Sequence, residues 1–225
     1  MSFSLNTYTK TPTNGHAPKQ AIVLLHGYGS NGQDLISLAP YWQRALPDAV
    51  FVSPDAPEPC EIAPAQGFQW FSLMSDDPMQ ELQVKDPAKY LSGVRAVKPV
   101  LDEYLDEVLI EYGLVNADLA LVGFSQGAMM ALHVGPRRAG KIAGVLGYSG
   151  SLIDDDNLQN AHKIPVRLIH GEADDVVPVE SYTQAKASLE RLGFPISGHT
   201  TKYLGHGIDN DGVESGTEFL QSIFS

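Results

Sequence analysis

The stretch LALVGFSQGAMMALHV, residues 119–134, changes character at its midpoint. LALVGF is a short apolar run of the kind that forms a strand buried on both faces. QGAMMALHV is a run of small and apolar residues suited to a buried helix. Ser125 stands at the junction, with Gly123 and Gly127 two residues to either side. Working outward, the same alternation recurs. AIVLLHG (21–27), AVFVSPDA (49–56), IAGVLGYSG (142–150) and IPVRLIHG (164–171) read as further buried strands, and ISGHTTKYLG (196–205) alternates enough to suit a sheet edge. Helix patterns fill 87–112, 126–135, 179–192 and 212–224; Gly113 stops the first, which Pro99 should kink or start. Strands alternating with helices predict an α/β fold: a mostly parallel central sheet with helices on both faces. No linker or internal repeat divides it, so one domain over 1–225 is expected.

Composition bounds the function. Fifteen Lys and Arg against 27 Asp and Glu give a formal charge of −12, which repels phosphate backbones and excludes nucleic acid as the expected partner. The acidic run at 154–156 reads as a solvated face. Cys60 is the one cysteine, so no internal disulfide can form and no set of cysteines could hold a structural zinc, and a reducing cytoplasm fits. The first twenty residues lack the basic and apolar regions of a signal peptide, and no apolar run has the length to insert across a membrane.

The junction itself carries chemistry. A strand running straight into a helix must turn sharply, and glycines at either side keep side chains from colliding there. The serine is lifted clear of the sheet, and the N–H of Gln126 opens the helix, where the dipole favours a developing oxyanion. This is the G-x-S-x-G nucleophile elbow, with the strand before it and the helix after it that the motif requires. Ser125 is therefore the candidate nucleophile.

A serine hydroxyl needs a base, and on this topology the chain order is Ser, then Asp or Glu, then His. His133 lies within the helix that follows the serine and faces back along it. His162 sits in a polar loop, and His170 and His199 lie at the end of and inside strands, where a structural role is expected. His206, in YLGHGID after the last strand, occupies a glycine-flanked loop at the C-terminal edge of the sheet and is the candidate base. For the acid, HGEADDVVP (170–178) offers Glu172, Asp174 and Asp175, and spacing alone does not choose among them. A second oxyanion donor is expected from the glycine-rich turn of LLHGYGSNGQDL (24–35), where His26 reads as a brace for the loop. Residues 57–86 make a long excursion carrying Trp70, Phe71, Leu73 and Met74; such a loop after a strand's C-terminal end is read as one wall of a cleft.

Taken in order, LLHGYGSNGQDL, FVSPDAPEPC, QWFSL, LVGFSQGAMMALH, Ser149-Gly150, LIHGEADDVVP and LGHGID resemble the phospholipase/carboxylesterase family of α/β-hydrolases across nearly the whole chain. The resemblance implies an α/β-hydrolase fold without a large cap domain, Ser125 as nucleophile, Asp174 as the acid and His206 as the base. It implies an oxyanion hole made by the backbone N–H groups of Tyr28 and Gln126, and an acyl groove beside Trp70, Phe71 and Leu73. It calls for no metal or organic cofactor. The implied activity is hydrolysis of carboxylic esters, with thioesters and lysophospholipids as further substrate classes, through an acyl-enzyme. The implied partner is a small-molecule ester or an acylated substrate, with a homodimer in keeping with the family. Glu172 and Asp175 depart from the family's usual Asp and Pro. A dienelactone hydrolase would place cysteine at the elbow, and a receptor on the same scaffold would keep the triad but turn over very slowly. With no insertion large enough for a full lid, the site is expected to be open and suited to short or medium acyl chains.

Overall fold

The computed structural model describes residues 3–65, 67–74, 87–153 and 156–225. Among the described residues, nine strands run in chain order as β1 (Thr7–Lys10), β2 (Gln20–Leu25), β3 (Ala49–Pro54), β4 (Glu58–Pro59), β5 (Phe68–Gln69), β6 (Leu119–Phe124), β7 (Gly144–Tyr148), β8 (Val166–Gly171) and β9 (Ile196–Thr201). The helices are α1 (Gly32–Leu35), α2 (Ala39–Gln43), α3 (Pro87–Tyr112), α4 (Gln126–Val134), α5 (Glu180–Arg191) and α6 (Asn210–Ile223). Seven strands form one sheet in the order β1-β3-β2-β6-β7-β8-β9. Within that sheet, among the described residues, only β1 pairs antiparallel; β4 and β5 form a separate antiparallel pair. The expected strand ISGHTTKYLG ends at Thr201 and is the edge strand β9, as its alternation predicts.

Alternate residues of each central strand go to opposite faces, so the sheet separates two cores. Val23, Leu25, Val50, Val52, Leu119, Leu121 and Val145 meet side chains of α3, α4 and α5 on one face. Ile22, Leu24, Phe51, Ala120, Val122 and Leu146 meet Leu35, Trp42, Phe219 and Leu220 on the other. Helix α3 runs unbroken through Pro99, which lies on its exposed side, where water can take over the hydrogen bond that the ring cannot make. Gly113 then ends it with φ at 65°.

Three features of this frame place the site. Strand β6 lies at the middle of the sheet, between β2 and β7. Helix α4, which follows it, is buried along its entire length. The loops after β2, β6 and β8 all leave the C-terminal edge of parallel strands, where ligands collect in open α/β sheets. Part of the expected cleft loop, Gln66 and residues 75–86, and the first two residues of the acidic run, Asp154 and Asp155, lie outside the described residues.

Candidate active site

Ser125 has φ 54° and ψ −117°, a conformation costing roughly 1–3 kcal/mol for a residue with a side chain. Its surroundings hold it there. The Ser125 N–H donates to the Tyr148 carbonyl at 2.9 Å, and its own carbonyl accepts from Ala128 at 3.0 Å and Met129 at 3.1 Å. Buried Met130, Leu132 and Val134 anchor α4 behind it, and each such side chain contributes about 1.5–3 kcal/mol, more than enough to offset the strain. The glycines are required by space: a Cβ at Gly127 would stand 1.9 Å from the Leu25 carbonyl oxygen, and one at Gly123 would stand 2.4 Å from that of Gly127.

His206 reaches the elbow from the loop after β9. Its ring lies 4.9 Å from that of Phe124, the residue before the serine. Its Nδ1 is 2.8 Å from Asp174 Oδ2. Asp174 Oδ1 accepts from the Val176 N–H at 3.0 Å and the Val177 N–H at 2.8 Å, so a tight turn after β8 aims the other oxygen at the histidine. Burial pulls the Asp174 carboxyl upward, but the bonds from His206, Val177 and Val176 outweigh it and hold the group below its ordinary value of 3.8, in the ionised form. Glu172 turns instead to the Thr200 hydroxyl at 2.8 Å. The candidate acid that meets the candidate base is therefore Asp174.

His170, expected to be structural, is nearly inaccessible and stands directly behind this pair. Its Nε2 is 2.7 Å from the Val177 carbonyl and 3.4 Å from Asp174 Oδ2. It closes the acid turn from below. Only its position beside the acidic loop in IHGEADDVVP signals this in the sequence.

The first turn after β2 supplies the Tyr28 amide. Gly29 donates to Phe68 at 2.9 Å, Phe68 donates back to Ser30 at 2.7 Å, and among the described residues no backbone carbonyl takes the Tyr28 N–H. Gln126 opens α4, so its N–H is one of the four that a helix leaves without an internal acceptor. His26 braces the turn: its Nε2 accepts from Ala56 N–H at 3.0 Å, which leaves Nδ1–H to donate to the Gly27 carbonyl at 2.7 Å. Burial lowers its pKa and outweighs the Gly27 carbonyl and the Asp55 and Asp34 charges, so the ring is held neutral.

Ser125, His206, Gln126, Tyr28 and Leu73 line one cavity of about 210 Å³, together with Tyr90, Met129, Ser151, Val176 and Val177. Trp70 and Phe71 are not among its walls, which corrects the expectation for that loop. Trp70 is fully buried and donates its indole N–H to the His26 carbonyl at 2.9 Å. Phe71 packs in the core against Tyr90. The Gln126 side chain fastens both: its Oε1 accepts from the Trp70 N–H at 2.9 Å and its Nε2 donates to the Phe71 carbonyl at 2.7 Å. The aromatic pair is an anchor, and Leu73, two residues further on, is the wall. Met129, one turn into α4, and Val176 and Val177, beyond the acid, were missed because an apolar residue at such positions reads as core.

The described residues hold no group of three or more His, Cys, Asp or Glu side chains arranged for a metal, and none of their helices is long and apolar enough to cross a membrane.

The sequence profile of the phospholipase/carboxylesterase family matches residues 6–224. Acyl-protein thioesterase 1 of Emericella nidulans is 28% identical over 218 residues, covering 90% of this chain and 89% of its own. Esterase YpfH of Escherichia coli is 27% identical over 205 residues, covering 90% and 82%. The crystal structure of esterase PE8 superposes with a TM-score of 0.89 at 40% identity, covering 97% of this chain and 99% of that one. The fold is that of an α/β-hydrolase, and the chain is a hydrolase of the phospholipase/carboxylesterase family.

Proposed function

We propose that this protein is a serine carboxylesterase of the cytoplasm that cleaves esters, or thioesters, of short to medium acyl chains through a Ser125-His206-Asp174 triad and an acyl-enzyme. The observation that carries the reading is the convergence of a strained serine, a histidine tethered to a buried carboxylate and a helix N-terminus on one cavity.

The chemistry follows from what each group can do. His206 takes the proton from Ser125 Oγ as that oxygen attacks the acyl carbonyl, and the C=O π pair moves onto the carbonyl oxygen. The Tyr28 and Gln126 N–H groups stabilise that oxyanion. As it collapses, the bond to the alcohol or thiol breaks and His206 returns the proton to the leaving group. Water then attacks the acyl-serine with His206 again as base, which frees the carboxylic acid and restores the serine. Asp174 stays ionised throughout and fixes the Nδ1–H tautomer of His206.

The size of the cavity supports the substrate class. At about 210 Å³ it is smaller than the roughly 300–1,000 Å³ of sites that enclose drug-sized ligands, and Leu73, Met129, Val176 and Val177 give it an apolar lining. The test is steady-state hydrolysis of p-nitrophenyl esters from acetate to palmitate by wild type and Ser125→Ala. Wild type should turn over many times with an optimum at short or medium chains, and Ser125→Ala should lose about 10⁴–10⁶ in kcat. Retained turnover in Ser125→Ala would remove the serine from the mechanism, and a palmitate optimum would remove the chain-length assignment.

A further inference from the structure

Glu61 lies in the loop between β4 and β5, outside the triad, yet its carboxylate bonds two residues of the cavity wall, Tyr28 and Leu73. Its Oε1 accepts from the Tyr28 hydroxyl at 2.8 Å, from the Leu73 N–H at 2.9 Å and from the Met74 N–H at 3.0 Å. Its backbone N–H donates to Gln69 Oε1 at 2.9 Å, and Gln69 Nε2 lies 3.4 Å from Glu61 Oε2 and 3.2 Å from Glu58 Oε2. Burial raises the Glu61 pKa, but hydrogen bonds from Ser72, Tyr28, Leu73 and Met74 more than reverse this and keep it ionised. Burial first, and then Glu61 and Cys60, push the Tyr28 phenol above its ordinary value, so it remains a donor.

The need for such a tether lies in the backbone. Tyr28 stands between Gly27 and Gly29, and Gly29 has φ 77°. Glycine leaves the chain its greatest freedom, so the orientation of the Tyr28 peptide depends on what the groups around it bond to. The Gly27 carbonyl accepts from the Ser30 N–H at 3.1 Å and lies 2.7 Å from His26 Nδ1, and the Gly29 N–H donates to Phe68, so the turn around Tyr28 is held on both sides by backbone groups. The Tyr28 hydroxyl adds a further hold, on the side chain, through Glu61.

We infer that Glu61 is a positioning residue that sets two parts of the site at once: through the Tyr28 hydroxyl it orients the Tyr28 N–H toward the oxyanion, and through the Leu73 and Met74 amides it sets the wall of the acyl cavity. The inference rests on the esterase reading and predicts separable effects. Losing the link to Tyr28 weakens a contact made most strongly in the transition state, so it lowers kcat. Losing the link to Leu73 loosens a contact with the bound acyl chain, so it raises KM for longer chains.

The experiment measures kcat and KM on p-nitrophenyl acetate and hexanoate for wild type, Ser125→Ala, Tyr28→Phe, Glu61→Gln, Glu61→Ala and the Tyr28→Phe/Glu61→Ala double variant. Rates are expressed per site labelled to completion by a fluorophosphonate (for Ser125→Ala, per molecule), with thermal midpoints alongside. Removing an oxyanion donor outright costs about 10²–10³ in kcat, and tilting one should cost about tenfold. Tyr28→Phe should show that tenfold loss with KM unchanged. Glu61→Ala should show the same loss together with a raised KM on hexanoate, and the double variant should be no slower than Glu61→Ala, because both changes break one link. Glu61→Gln, which keeps an acceptor oxygen, should recover most of the rate.

A wild-type kcat per labelled site in Tyr28→Phe overturns the proposal, even if Glu61→Ala fails to fold. Additive losses in the double variant overturn it as well. Either result with an inactive Ser125→Ala leaves the esterase reading standing; an active Ser125→Ala takes both down.

Discussion

Glu172, Asp174 and Asp175 lie within four residues and carry the same functional group, but local geometry gives them different work. Asp174 bonds the amides two and three residues ahead, and the turn so formed points its second oxygen at His206. Glu172, one methylene longer, reaches Thr200 on the neighbouring strand. Asp174→Asn would present the wrong partner to Nδ1 and should lower kcat by roughly 10³–10⁴, while Glu172→Gln should leave it close to wild type. Kinetics of the two variants side by side check this; a larger loss in Glu172→Gln would reverse the assignment. The serine was legible because its motif and its strand-to-helix context occur together. The acid was legible only through the family resemblance, because spacing leaves the choice to a turn that becomes visible once the Val176 and Val177 amides are placed.

At the scale of elements, the loop from Pro57 to Met74 shows where pattern reading stops. Trp70, Phe71 and Leu73 follow one another after a strand, and nothing in their order says which face the core and which the cavity. The Gln126 side chain and the His26 carbonyl decide it by pulling the Trp70 backbone and indole inward. Trp70→Ala should therefore cost about 3–5 kcal/mol of stability, the range for emptying a large buried aromatic site. Leu73→Ala, at a half-buried wall position, should change the preferred acyl length with a much smaller loss of stability. Denaturant unfolding and an ester series on both variants separate the roles; the opposite pattern would restore Trp70 to the cavity wall. The long helix was legible over 87–112, the range it fills among the described residues, because Leu91, Val94, Leu101, Leu105, Val108 and Leu109 recur at helical spacing. Strand β1, four residues in a polar segment, and α1 and α2, of four and five residues, were missed because none is long enough to display a period.

For the whole molecule, acid should loosen the fold in two stages. His26 is buried and neutral, so the unfolded chain takes up a proton below about 6.5 that the native ring refuses. The stability it contributes is complete above that value and is lost as the pH falls beneath it. Asp174 and Glu61, both held low, contribute stability that is complete above the ordinary carboxylate range and is lost as the pH falls through their own depressed values. Unfolding free energies at pH 7.5 and 5.5 should fall more steeply in wild type than in His26→Gln. An equal slope in the two would place the sensitive group elsewhere. These groups sit at the C-terminal edge of the sheet, so acidification should disturb the site before it disturbs the two cores.

The most direct test of the account is to trap the acyl-enzyme. Wild type mixed with a p-nitrophenyl ester and quenched in acid within the first turnover should carry one acyl group, mapped by peptide mass spectrometry to Ser125. His206→Ala, without the base that activates both serine and water, should form the same adduct far more slowly. An acyl group on any other residue, or full turnover with no adduct at Ser125, would contradict it.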